Sequence, residues 1–221
     1  MKTVLTTRLL SPSQKELFLN SGIGLVEYNA LKFEFLEMVI PSGYDYHIFT
    51  SKNAVKAFLK KSIKVDTSNL SAFCVGEKTR AILEESNIKI IKTTENASDL
   101  ADFIVKNHKN DTFLFLCGNI RREELPEILL KNNIQYNEVE VYKTHLEIRK
   151  FNRSFDGILF FSPSGVKSYI QKNSISKSMV FCIGNTTAAE AKRHTDQIVI
   201  ASRPTVENVL VQAIKYFKRY D

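Results

Sequence analysis

Short apolar runs alternate along this chain with stretches whose apolar residues recur at helical spacing. In the middle, runs at 46–50, 72–75, 88–91, 112–117 and 136–141 read as buried strands. Helical patterns lie between them, near 53–61, 78–86, 98–108 and 122–132. Val55, Phe58 and Leu59 show the spacing in the first of these, and Leu125, Ile128 and Leu129 in the last. Towards the end, strands at 158–161, 180–183 and 198–201 are each followed by a predicted helix, at about 164–173, 186–194 and 205–219. At the front, a β-branched run at 3–7 precedes a helix opened by Ser11-Pro12-Ser13 and stopped by Asn20-Ser21-Gly22, and a second strand follows at 23–28. Two stretches, 30–37 and 141–148, alternate apolar and polar residues instead and read as half-exposed linker strands. Repeated β-α units imply parallel sheets with helices on both faces.

The pattern occurs twice. His47-Ile-Phe-Thr-Ser-Lys-Asn-Ala-Val55 has the layout of Gly157-Ile-Leu-Phe-Phe-Ser-Pro-Ser-Gly-Val166: Phe49 lies over Phe160, Ser51 over Ser162 and Val55 over Val166. Phe73-Cys-Val-Gly76 with Thr79 echoes Phe181-Cys-Ile-Gly184 with Thr187, and the helix opened by Ser98 echoes the one opened by Thr205. Matches spaced roughly 110 residues apart, in the same order, indicate a duplicated α/β unit. The middle segment supplies five strands, and the flanking segments supply two and three. The expected fold is therefore α/β, with two doubly wound, flavodoxin-like parallel-sheet lobes, one inserted in the other. Residues 1–28 and 156–221 form the outer lobe, 38–141 the inserted one, and 29–37 and 142–155 a two-stranded linker. The outer lobe's first two strands correspond to the inserted lobe's last two, so the lobes are circular permutations of each other.

Composition narrows the function. With 43% hydrophobic and 25% charged residues, each lobe can build a core. Cys74, Cys117 and Cys182 stand alone in apolar runs, with neither a C-x-x-C nor a disulfide framework, which points to a reducing, cytoplasmic setting. No signal peptide and no run long enough to span a membrane is visible. The net charge of +7 suits a polyanionic small molecule as well as nucleic acid, and no nucleic-acid-binding signature is present. There is no G-x-G-x-x-G after the first strand, no Walker loop, no metal-ligand spacing among the four histidines and no G-x-S-x-G, so neither cofactor nor metal is expected.

In an open parallel sheet ligands sit outside the carboxyl ends of the strands, at the turns into helices. Here those turns read Thr50-Ser-Lys-Asn53, Gly76-Glu-Lys-Thr79, Gly118-Asn-Ile-Arg-Arg122, Ser162-Pro-Ser164 and Gly184-Asn-Thr-Thr187. Hydroxyls, amides and helix N-termini of this kind suit a ligand with several carboxylates. Ser, Thr and Asn are also ordinary N-cap residues, and capping alone explains any single turn. Their recurrence in paired turns is what points to a ligand.

The ordered set Ile48-Phe-Thr-Ser-Lys-Asn-Ala-Val55, Val75-Gly76 with Thr79, Gly118 to Arg122-Glu-Glu-Leu125, Val141-Tyr-Lys-Thr144, Phe161-Ser-Pro-Ser-Gly-Val166, Ile183-Gly-Asn-Thr-Thr-Ala188 and Pro204-Thr205 resembles the uroporphyrinogen-III synthase family. The resemblance spans nearly the whole chain. It implies two α/β lobes on a two-stranded linker and a monomeric enzyme with a tetrapyrrole substrate and no cofactor. The implied reaction closes hydroxymethylbilane into a macrocycle with loss of water and inversion of the last pyrrole ring. It also implies that Tyr142 assists departure of the hydroxyl, and that Thr50, Ser51, Lys52, Thr79, Arg122, Ser162, Ser164, Thr186 and Thr187 face the substrate, with Arg8 as a further basic candidate. Two other classes share features with the chain. A two-lobed binding module for a polyanionic small molecule shares the architecture, and a receiver-like regulator would need acidic residues where this chain has Thr7-Arg8 and Thr50-Ser51.

Overall fold

The computed structural model describes residues 1–19, 21–61, 69–175 and 177–219; the helix stop expected at Asn20 and the last two residues of the expected outer lobe lie outside these. The chain divides into two compact units, Met1–Lys32 with His145–Asp221, and Phe33–Thr144.

The first segment carries β1 (Thr3–Thr6), α1 (Pro12–Leu19), β2 (Gly24–Glu27) and β3 (Leu31–Phe35). The middle carries β4 (Tyr46–Phe49), α2 (Lys52–Lys61), β5 (Ser71–Val75), α3 (Glu77–Glu85), β6 (Lys89–Thr94), α4 (Ala97–Asn107), β7 (Thr112–Gly118), α5 (Glu124–Lys131) and β8 (Gln135–Leu146). The last segment carries β9 (Gly157–Phe160), α6 (Pro163–Ile170), β10 (Met179–Cys182), α7 (Asn185–Ala191), β11 (Ile198–Ile200) and α8 (Val206–Arg219). No helix among the described residues is long and apolar enough to cross a membrane.

One sheet runs β11-β10-β9-β1-β2 and the other β3-β8-β7-β4-β5-β6. Counted from β9 and from β4, both have the strand order 3-2-1-4-5, with β3 added at one edge. The equivalence pairs β1 with β7 and β2 with β8, which is the circular permutation that the repeats imply. Within each 3-2-1-4-5 set neighbouring strands run parallel, as in β4 with β7 and β1 with β9, whereas the added β3 runs antiparallel to β8.

Burial explains why these strands read as unbroken apolar runs. Along β7, Leu114 and Leu116 belong to one core cluster, while Phe113, Phe115 and Cys117 belong to another. Along β9, Ile158 and Phe160 face one cluster and Leu159 faces the other. Helices cover both faces, so alternate side chains are all buried. Each fully buried Phe or Leu contributes about 1.5–3 kcal/mol relative to exposure. The stretches expected as separate strands at 136–141 and 141–148 are one continuous strand, β8, because no turn residue interrupts them.

An ionisable group borders the core of the second unit, beside Phe58. His47 sits on β4 with its Nδ1 buried and without a partner among the described residues, and burial holds the imidazole down to about 4. An imidazole that must stay neutral to remain folded contributes stability above its ordinary pKa of about 6.5, and loses it as pH falls towards the folded value. His47→Leu is therefore expected to flatten the loss of stability between neutral pH and the folded value near 4. Urea midpoints of both proteins at several pH values check this; parallel profiles would show that His47 plays no part.

Candidate active site

The strand order singles out one place in each sheet. The direction in which successive strands are added to the sheet reverses between the first and fourth strands of the 3-2-1-4-5 order, and the loops leaving those strands diverge and open a crevice. In the second unit these strands are β4 and β7. A cavity of about 380 Å³ lies there, lined in part by Thr50, Ser51, Gly118, Arg121, Arg122 and Tyr142. Thr50 and Ser51 come from the turn after β4, Gly118 and the arginines from the end of β7 and its turn, and Tyr142 from β8.

Tyr142 is placed by a register irregularity. Cys117 pairs with Glu140, but Gly118 pairs with Tyr142, so β8 gains one residue at this point. The bulge lays the tyrosine ring over Gly118: a Cβ built on Gly118 would stand 2.4–2.8 Å from three ring carbons. No side chain other than hydrogen fits, although the Gly118 backbone is not in the positive-φ region. The backbone N–H of Asn119 donates to the Tyr142 carbonyl at 3.3 Å, and Asn119 Oδ1 accepts from the Thr144 N–H at 2.7 Å, which ties the turn to β8.

The Tyr142 side chain is 7% exposed and its hydroxyl donates to Ser51 Oγ at 3.2 Å. Burial pushes the phenol above its ordinary pKa, against a smaller lowering from Ser51. The group is thus a neutral proton donor throughout the physiological range. Ser51 Oγ also accepts from the Asn53 N–H at 3.1 Å, as a residue capping α2 does. Two accepted bonds fill its lone pairs, so Ser51 meets a ligand as a donor.

The two arginines differ. Arg121 Nε donates to Glu138 at 2.7 Å and its other end is held by Glu123, so its charge is committed. Arg122 is exposed and has no ion-pair partner among the described residues. It lies in the turn, before α5 begins at Glu124, and not inside the helix as its sequence pattern predicts.

In the first unit the equivalent strands are β9 and β1. Ser162 caps α6, its Oγ accepting from the Gly165 N–H at 3.1 Å, and Ser164 lies half-buried in the helix's first turn. Arg8 follows β1. Its guanidinium carbon stands 5.5 Å from the Phe161 ring centre, and its Nε is buried without a partner among the described residues.

Thr79, Thr186 and Thr187 stand one strand further out, after β5 and β10. Thr79 and Thr187 occupy the same place in the two repeats, the third residue of α3 and of α7. They were expected to face a ligand, yet they are 4% and 1% exposed. At the third helical position the side chain turns towards the sheet, so both present almost no surface to a ligand. Thr186, one residue earlier, is exposed, as is Lys52 at the start of α2. The α3 turn is made by Gly76, whose φ of 83° is strained for any residue with a Cβ. Sequence reasoning missed Gly118 as a shape requirement and Arg121 as a committed cation.

A larger cavity of about 580 Å³ exists in the first unit. It is lined by Lys2, Asp156, Met179 and Gln197, at or just before the first residues of strands, so it opens at the amino ends of the sheet. In a doubly wound sheet that is the end away from the ligand site. Location and chemistry favour the smaller cavity.

Two doubly wound units with hydroxyl- and arginine-bearing turns at their switch points define a two-unit α/β protein with parallel sheets. The family model described as uroporphyrinogen-III synthase HemD matches residues 13–210. The chain belongs to the uroporphyrinogen-III synthase family, a family of porphyrin-biosynthesis enzymes. It is 28% identical over 217 residues to the uroporphyrinogen-III synthase of Saccharomyces cerevisiae, covering 80% of this chain and 77% of that one. It is 25% identical over 190 residues to the porphyrin biosynthesis protein HemD of Ruminiclostridium josui, covering 76% of this chain and 37% of that longer protein. Among solved structures, the uroporphyrinogen-III synthetase of Helicobacter pylori superposes with a TM-score of 0.76 at 19% identity, over 98% of this chain and 100% of that one. A mutant uroporphyrinogen III synthase of Thermus thermophilus does so with 0.71 at 12% identity, over 100% of both chains. At these identities the structural likenesses speak to the fold.

Proposed function

We propose that this chain closes hydroxymethylbilane into uroporphyrinogen III as a cyclising hydro-lyase that needs no cofactor. The observation that carries the reading is the buried, neutral Tyr142 phenol, bonded to Ser51 in the switch-point cavity beside an uncommitted Arg122. The substrate brings its own leaving group. The bond from the terminal methylene to its hydroxyl breaks, with electrons supplied by the adjacent pyrrole nitrogen, and the oxygen leaves as water with a proton from Tyr142. The substituted carbon of the last ring then bonds to the methylene and gives a spiro intermediate. The bond from that carbon to the methylene of the neighbouring ring then breaks, and the unsubstituted carbon on the other side of the last ring's nitrogen bonds to that methylene instead, which inverts the last ring. The proton lost as the ring regains aromaticity returns to the tyrosinate, so the net change is loss of one water.

Unassisted closure gives the uninverted type I isomer, so the protein's main contribution is orientation. Arg122, Ser51 and the α2 N-terminus suit the substrate's acetate and propionate groups, and Arg8, Ser162 and the α6 N-terminus, taken by themselves, offer carboxylates the same chemistry. An anionic group would also satisfy the orphaned Nε of Arg8. The three free thiols are buried, and burial pushes Cys117 up to about 11 and Cys182 to about 12, which suits a monomer at work in the reducing cytoplasm.

The test is to give the purified protein freshly made hydroxymethylbilane, with a chelator and no added cofactor, and to separate the oxidised porphyrin isomers. Type III should predominate. Type I alone, as in the protein-free control, would overturn the reading.

A further inference from the structure

We propose that Phe33 is a specificity-determining residue, whose ring packs against the reacting pyrrole beside Tyr142 and fixes which ring carbon attacks. The inference rests on the function proposed above. Phe33 lies on β3, the edge strand hydrogen-bonded to β8. Its ring centre stands 6.2 Å from that of Tyr142, with the planes inclined at 60°. Tyr142 is 7% exposed, but Phe33 is 45% exposed. The phenylalanine therefore covers one side of the tyrosine and keeps much of its own surface open.

Phe35, two residues on and on the same face of the strand, packs against the core cluster that contains Phe49, Phe58 and Tyr142. Core packing accounts for Phe35 and leaves the exposure of Phe33 unexplained. A lone exposed apolar residue is ordinary on a protein surface. Phe33 differs in touching the tyrosine of the candidate site. From a different element, the turn after β7, Ile120 is 52% exposed and lines the cavity that holds Tyr142. Phe33 stands outside that lining and approaches from β3, across β8 from β7, so the two elements bring open apolar surface to the tyrosine from its two sides.

Chemistry gives that surface a task. The substrate's carboxylates lie at the rims of its pyrroles, and arginines, hydroxyls and helix N-termini can hold them. Those contacts do not set the tilt of a flat, electron-rich ring. An aromatic side chain does, through edge-to-face or offset packing. Tilt decides whether the substituted or the unsubstituted carbon reaches the methylene, and so decides the isomer.

The experiment compares wild type, Phe33→Ala, Phe33→Leu and Phe33→Tyr for product isomer ratio, kcat and KM, with circular dichroism as the check on folding. Phe33→Ala should lower kcat/KM by roughly tenfold, mainly through kcat, and raise the type I fraction. Phe33→Tyr should restore the type III fraction, and Phe33→Leu should fall between. If Phe33→Ala does not fold, Phe33→Leu, which keeps bulk without a flat ring, carries the same comparison. A wild type that makes type III, with folded variants of unchanged ratio and kcat/KM, would overturn the role of Phe33 alone. A wild type that makes only type I would overturn the proposed function and this role with it.

Discussion

Gly118→Ala is expected to lower kcat/KM by on the order of 10²-fold, because misplacing a reacting group by about 1 Å costs that much. The added methyl would meet the Tyr142 ring at 2.4 Å, so the ring or the β7–β8 bulge must move. Overpacking a tight contact also costs about 1–3 kcal/mol of stability. The cause is the tyrosine ring, since the Gly118 backbone needs no positive φ. A double-mutant cycle separates the effects. Adding Gly118→Ala to Tyr142→Ala should cost far less stability than adding it to wild type, as read from urea midpoints. Equal costs in both backgrounds would mean that the ring does not require the glycine.

Tyr142→Phe is expected to lower kcat by about 10²-fold or more, the usual range for losing a positioned general acid. Stability should fall by only about 1 kcal/mol, since one neutral hydrogen bond is lost. The ring still fills its place over Gly118, and Ser51 still accepts from the Asn53 N–H. The pH dependence adds a second reading. The Tyr142 pKa is raised, so the phenol keeps its proton as pH rises through the ordinary tyrosine value near 10. Any fall in wild-type activity that belongs to Tyr142 should begin above that value. A folded Tyr142→Phe protein with unchanged kcat would remove the phenol from the mechanism.

Much of the fold is legible in the sequence because the strands are buried on both faces and the helices are amphipathic. The repeats around Phe49 and Phe160 extend that reading to a permuted duplication. Strand order within each sheet is not legible, and it is strand order that ranks the candidate turns. Ser51 and Ser162 look like Thr79 and Thr187 in sequence. Only the switch point between β4 and β7, or between β9 and β1, separates the first pair from the second. The adjacent arginines show the same limit. Glu123, two residues on, hints that Arg121 is paired, but its other partner, Glu138, becomes visible only when β7 and β8 lie side by side. The bulge at Gly118 is likewise a property of pairing. Phe33 falls in a stretch whose alternation says only that one face is apolar.

The central claim is that the tetrapyrrole meets this chain at the Tyr142 cavity. The most direct test is a carbon-13 spectrum of protein labelled at the hydroxyl-bearing ring carbon of its eight tyrosines, recorded with and without uroporphyrinogen III under reducing conditions. The Tyr142 signal, assigned from the Tyr142→Phe variant, should shift on titration, while those of Tyr169 and Tyr216, which line the larger cavity, should stay in place. A saturating shift at Tyr169 or Tyr216, with Tyr142 unmoved, would contradict the account.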